Sequence, residues 1–187
     1  MNHKPRHSPW GQIDNCETIA PGIYRVSTSS HGGYILSPER LRAMPQALRL
    51  HGSNHFEEDC EWCLVILSFP DLFPDALHQE GTHTCKNWYP HLWEAWTGTT
   101  LSLEESKEKA RQHFHQRHAN DYVVISAWGS WHPQVPAQHV ITGATLGGNR
   151  SKDVRYFLVP EKEYDTRSPF GFVINPTLHS SVSCPHN

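Results

Sequence analysis

Three groups of side chains in the chain are of the types that hold metals or attack substrates. His31 lies between Ser30 and Gly32-Gly33, and glycines let a backbone approach a ligand closely while leaving an adjacent imidazole accessible. The acid run Glu57-Glu58-Asp59 offers metal-ligand or general-base carboxylates, and an imidazole joined to a carboxylate suits a divalent metal. Three adjacent acids on a helix point in different directions, so at most two of them converge. Cys60 and Cys63 form a C-x-x-C followed by His83 and Cys85, the donors of a Cys3His zinc site. Only one such Cys pair is present, and it falls where a buried helix is expected, in which Cys behaves as a small hydrophobe.

A thiol nucleophile is the next candidate chemistry. Cys60 near a helix start, His139 opening a later strand, and Asn149 or Asn175 to orient the imidazole would give the parts of a thiol hydrolase. Glu57, Glu58, Asp59 and Glu61 surround Cys60 in sequence, and that much negative charge opposes the thiolate. Toward the C-terminus, Ala127-Trp128-Gly129-Ser130-Trp131-His132-Pro133 and Arg167-Ser168-Pro169-Phe170-Gly171-Phe172 are aromatic and polar. Trp128, Trp131 and Arg167 are the candidate anchors of a binding surface, the residue types that dominate such contacts. No P-loop, dinucleotide fingerprint or hydrolase elbow occurs, which disfavours common nucleotide chemistry.

Composition narrows the setting of these groups. The 187 residues suit one ordinary domain, and seven Trp, seven Phe and six Tyr require a folded core to bury them. A formal charge of -3 speaks against both a broad phosphate-binding face and an acidic imitation of DNA. The fifteen His would carry the balance to positive near pH 6 if partly protonated. Nucleic-acid binding through Arg111, His113, His115, Arg117 and His118 is a third-ranked reading. No run is apolar enough to span a bilayer and the first residues lack the apolar centre of a signal peptide, so a cytoplasmic, membrane-free protein is expected. Five Cys without framework spacing are expected to remain reduced.

The elements that must position these groups follow from hydrophobic period and turn signals. Residues 1–12, rich in Pro and His, are expected to form a flexible lead-in, and residues 13–187 a single domain. The alternation over Gly22–Ser27, the glycines at 32 and 33 and the apolar Tyr34-Ile35-Leu36 predict a β-hairpin. Ser37-Pro38 starts a short helix, residues 46–55 are loop, and Glu57-Glu58-Asp59 leads a helix over Trp62–Phe69 that Pro70 stops. Short helices are predicted over 71–79 and 85–97, the latter with Trp88, Leu92, Trp93 and Trp96 as a packed face. Ser102 and Glu105 make a capping box for a polar helix to about His118. Short β-type runs at 122–128, 139–146, 154–159 and 170–174 predict four strands. The resulting class is α+β: a mostly antiparallel sheet joining the N-terminal hairpin to four C-terminal strands, with a helical middle.

Several stretches carry a family likeness: Ala20-Pro21-Gly22-Ile23, Val26 to Gly33 with its Ser-His-Gly-Gly, Leu36 to Arg40, and Phe56-Glu57-Glu58-Asp59-Cys60-Glu61-Trp62. Ser126-Ala127-Trp128-Gly129, Phe157-Leu158-Val159-Pro160 with Glu163-Tyr164, and Phe170 to Ile174 continue it. On these the chain resembles an uncharacterised protein family encoded on bacterial conjugative plasmids and integrative elements. The likeness leaves about 71–115 unmatched. It departs at Phe56, where Tyr is the family residue, at Ser130, where an acid stands, and at Asn175, where Asp stands. The resemblance implies a genomic setting and no reaction. The leading expectation is therefore a non-enzymatic accessory factor that binds a host protein or ribonucleoprotein complex, such as an inhibitor of CRISPR or restriction defence. It has no cofactor, with His31 and the acids serving as scaffold. The alternative is a small hydrolase or metal-dependent enzyme using His31, Glu57, Glu58 and Asp59.

Overall fold

The computed structural model describes residues 4–185. The chain divides into two compact units, one ending at Lys109 and the other starting at Ala110.

The N-terminal unit opens with β1 (His7–Ser8) and β2 (Gly11–Gln12), a two-stranded hairpin inside the segment expected to be a flexible lead-in. What orders it is Trp10, which packs with Ile13 and Cys16 on Tyr24, Val26 and Ile35. Then come β3 (Asn15–Ala20), β4 (Ile23–Ser27) and β5 (Gly32–Leu36), followed by α1 (Pro38–Ala43). The predicted hairpin is β4 and β5. Ser37 caps α1 as its sequence implies, its Oγ accepting from the Arg40 N–H at 3.3 Å. β6 (His55–Glu57) falls partly in what was expected to be loop and pairs with β5, completing an antiparallel sheet in the order β3-β4-β5-β6.

Helices cover part of one face of this sheet. α2 (Trp62–Ser68) is buried from Cys63 through Leu67, so it is apolar all round and forms the centre of the core. None of the three acids lies in its first turn: Glu57 ends β6, and Glu58 and Asp59 form the connecting turn. The reading of those acids as helix caps is thereby corrected. α3 (Asp75–Trp88) and α4 (Pro90–Thr97) replace the helices predicted over 71–79 and 85–97, with Pro90 setting the break. Leu92, Trp93 and Trp96 pack on the core, whereas Trp88 is exposed. The Ser102–Glu105 capping box forms reciprocally, at 3.0 and 3.3 Å, ahead of α5 (Lys107–Arg117).

The second unit, from Ala110, carries β7 (Tyr122–Trp128), β8 (His139–Leu146), β9 (Arg155–Pro160), α6 (Glu161–Tyr164) and β10 (Ser180–Val182). Its strands form a separate antiparallel sheet in the order β10-β9-β8-β7. The N-terminal hairpin does not join it, contrary to the expected single sheet, because β3 and β6 supply that hairpin with its own flanking partners. Segment 170–174 makes isolated bridges, Val173 to Val123 and Gly171 to Ser168, with bonds from Val124 N–H to Phe172 O and from Ile174 N–H to Tyr122 O. Pro169 before it and Pro176 after it remove donors at both ends. The fourth strand is instead β10, too short and polar to stand out by pattern.

Candidate metal centre and adjoining cleft

Register decides which side chains of the N-terminal sheet meet, because directly paired residues point to the same face. Glu17, Arg25, Tyr34 and Phe56 form one row across β3 to β6. Phe56 and Tyr34 are buried at the covered side, while Arg25 and Glu17 are exposed at the other. Asn15, Ser27 and Gly32 form the next row on that face. The helices therefore roof only the β5–β6 side, and a cleft of about 550 Å³ opens between the uncovered rows and Trp62, Leu77 and Glu80 of α2 and α3. Glu58 also lines it.

On the opposite face, Glu57 stands in the row of Cys16, Val26 and Gly33. Gly33 has φ 151°, and a side chain there would collide with the Phe56 carbonyl and lie 2.7 Å from Trp10; only glycine fits. The chain thus passes the end of β5 with Glu57 on one face and Glu58 on the other, and His31 at the corner. The turn holding His31 is pinned by Thr28, whose N–H donates to His31 O at 2.7 Å and whose Oγ1 accepts from His31 N–H at 3.2 Å.

His31, Glu57 and Glu58 each offer one donor atom, and the three atoms lie within 4.8 Å of one another. His31 Nδ1 and Glu57 Oε1 are 3.6 Å apart, close to the ~3.4 Å edge of a tetrahedral site with bonds of about 2.1 Å. Backbone contacts hold both carboxylate residues in place. Asp59 N–H donates to Glu57 Oε2 at 2.7 Å, Glu57 N–H donates to Glu61 Oε2 at 3.0 Å, and Glu58 N–H donates to Gly32 O at 3.1 Å. That leaves Glu57 Oε1 buried without a hydrogen-bond partner, an expensive state for a carboxylate oxygen unless something else engages it. Bonds from neighbouring groups that orient a ligand in this way are characteristic of metal sites. Asp59 is exposed and contributes its backbone alone, so the alternative set reduces to His31, Glu57 and Glu58.

The other candidates are placed apart from this chemistry. Cys60 Sγ pairs with Tyr89 Oη at 3.2 Å, Cys63 and Cys85 are fully buried, and His83 Nε2 pairs with Asn87 Nδ2 at 3.1 Å. Its hydrogen bond to Cys85, followed by burial, pushes the Cys63 thiol far up, and burial with the Cys60 contact raises the Tyr89 phenol. The Cys63 thiol therefore stays protonated and inert toward metals and electrophiles. His139 Nδ1 pairs with Ala137 O at 2.8 Å. Trp128 is half-buried with its ring 5.9 Å from Tyr156, whereas Trp131 is 74% exposed. Arg167 is engaged locally, its guanidinium 4.7 Å over the Tyr164 ring and 3.6 Å from Asp165. The residues that sequence reasoning missed are the cleft walls: Glu17, Arg25, Tyr34, Trp62 and Glu80. The one available signal was the charged Arg25 within the alternation of β4.

A family model described as a domain of unknown function, DUF7007, matches residues 3–119. The chain belongs to the DUF7007 family. The DUF7007 match includes His31, Glu57 and Glu58, the cleft and the 71–115 segment that the motif likeness left unmatched, and it ends before β7. No curated protein and no solved structure was found to match the chain.

Among the described residues no helix is long and apolar enough to cross a membrane.

Proposed function

We propose that the N-terminal unit is a metal-dependent hydrolytic module in which His31, Glu57 and Glu58 hold a divalent transition metal. The observation that carries this reading is that one donor atom from each of the three residues lies within 4.8 Å of the others, with Glu57 Oε1 buried and without a hydrogen-bond partner. One imidazole and two carboxylates suit zinc, manganese or ferrous iron. Three protein ligands leave coordination positions open, the pattern of catalytic sites as opposed to closed structural ones. A divalent ion so held lowers the pKa of bound water toward neutrality and polarises a carbonyl or phosphoryl oxygen. The protein's own part is to fix the ligands through Asp59 N–H and Gly32 O and to present Glu58 at the cleft. This reading gives His31 and the acids a role in place of the scaffold one expected for them.

The test is calorimetric titration of chelator-stripped protein with Mn2+, Zn2+ and Co2+, alongside His31→Ala and Glu57→Gln. One equivalent per chain, lost in both variants, is expected. Binding that is absent, or unchanged in the variants, would sink the assignment.

A second reading keeps the accessory-factor role on a mobile element, docking a host protein or ribonucleoprotein complex of a defence system. It is supported by the family resemblance and by Trp131, a large aromatic left 74% exposed and of the type that anchors interfaces. Purification of tagged protein from a host carrying CRISPR or restriction systems, compared with Trp131→Ala, tests it. A stoichiometric complex lost in the variant is expected, and no such complex counts against it.

A further inference from the structure

The cleft beside the metal set has walls of definite chemistry. Its volume of about 550 Å³ is that of a small-molecule pocket. Three carboxylates, Glu17, Glu58 and Glu80, face it against one guanidinium, Arg25. Glu17 and Arg25 are direct cross-strand partners and offset each other. Glu58 is turned toward the metal position. Glu80 is left as the uncompensated charge, exposed on α3 with no ion-pair partner among the described residues. Beside it, Trp62 and Leu77 give the cleft an apolar wall.

Independent of the acids, Tyr34 points to a ligand. It is 7% exposed, it lines the cleft, and its hydroxyl has no hydrogen-bond partner among the described residues. Arg25 and Glu17 line the same cleft, and burial raises the Tyr34 pKa above its ordinary value, so the phenol stays protonated. Among the described residues the fully buried unpartnered side-chain oxygens are on Glu57 and Thr145, so the Tyr34 hydroxyl opens to the cleft and can pair with a polar atom of a ligand there.

We propose that this cleft is the substrate pocket of the module and that it takes an organic cation, an ammonium or guanidinium group on an aliphatic stem. Glu80 holds the charge, Trp62 and Leu77 cover the stem, and a polar atom of the ligand pairs with Tyr34 Oη. The use of that cation in hydrolysis rests on the metal reading above; its binding does not. Cation binding over an indole and a carboxylate needs no ion.

Binding is measured by titration calorimetry on the full chain, with and without added Mn2+. The probes are cadaverine and agmatine for free amines, Nα-acetyl-lysine methylamide for a peptide side chain, and glutarate as an anion of similar length. At least one cation should bind and glutarate should not. Glu80→Gln should weaken the cation by roughly tenfold, equivalent to about 1.4 kcal/mol, and Tyr34→Phe should weaken it severalfold. Tighter binding of the lysine derivative identifies a peptide source, and tighter binding of the free amines a metabolite source. Glutarate binding as well as the cations, no probe binding, or indifference to Glu80→Gln overturns the assignment. Cation binding that survives chelation and His31→Ala shows the pocket standing even where metal binding fails.

Discussion

Gly32 lies directly against the Glu58 carboxylate: a side-chain carbon on residue 32 would come within 2.5 Å of Glu58 Oε2 and 2.8 Å of the Val26 carbonyl. The missing Cβ is what lets Glu58 fold over β5 toward His31. Its purpose is space, distinct from the torsional freedom needed at Gly33.

Gly32→Ala is expected to lose about 1–3 kcal/mol, the usual cost of forcing extra volume into a packed site, and to lose metal affinity at the same time. Glu58→Gln, which leaves Gly32 alone, should lose affinity with little change in the urea midpoint. Calorimetry with Mn2+ and urea unfolding separate the two effects. A Gly32→Ala protein that binds metal normally would show that the close approach is incidental.

Phe56 is fully buried at the centre of β6, and the two acids that follow it depend on its anchoring. Phe56→Ala should cost about 3–5 kcal/mol by cavity formation, read as a lower urea midpoint. Phe56→Leu, retaining most of the volume, should lose much less.

Glu94 tethers α4 to α5, with Lys109 Nζ at 2.6 Å and the Leu101 N–H at 2.7 Å. The Lys109 contact, then the Leu101 bond, holds its carboxyl below the ordinary value of 4.5. A depressed folded pKa adds stability that is present above the unfolded value and lost as pH falls through the folded one. The melting-temperature difference between wild type and Glu94→Gln should therefore be constant above pH 4.5 and shrink below it. A difference that persists unchanged at lower pH would contradict the tether.

In the C-terminal unit His179 is 2% exposed, accepting the Asn175 N–H at Nδ1 (3.1 Å) and meeting Glu163 Oε1 at Nε2 (3.0 Å). The first bond sets the tautomer, leaving Nε2–H to donate to Glu163. His179→Ala should lower stability by about 1–3 kcal/mol through the unsatisfied Asn175 amide and the vacated ring, seen as a lower melting temperature. Glu163→Gln, which still accepts through its amide oxygen, should change it by less than His179→Ala does.

Local rules placed much of this architecture. The Ser37 cap, the Ser102–Glu105 box, the Pro70 stop, the β4–β5 hairpin and three of the C-terminal strands all rest on interactions within a few residues, which composition and period record directly. The α+β class follows from them. The convergence of His31 with Glu57 and Glu58 belongs to tertiary structure, because twenty-odd residues separate them and only the β5–β6 register joins them. The same holds for the cleft, whose floor comes from β3 and β4 and whose wall comes from α2 and α3. Sheet membership was likewise invisible: strand pattern records which face is buried, and it carries no information on which distant strand completes the ladder.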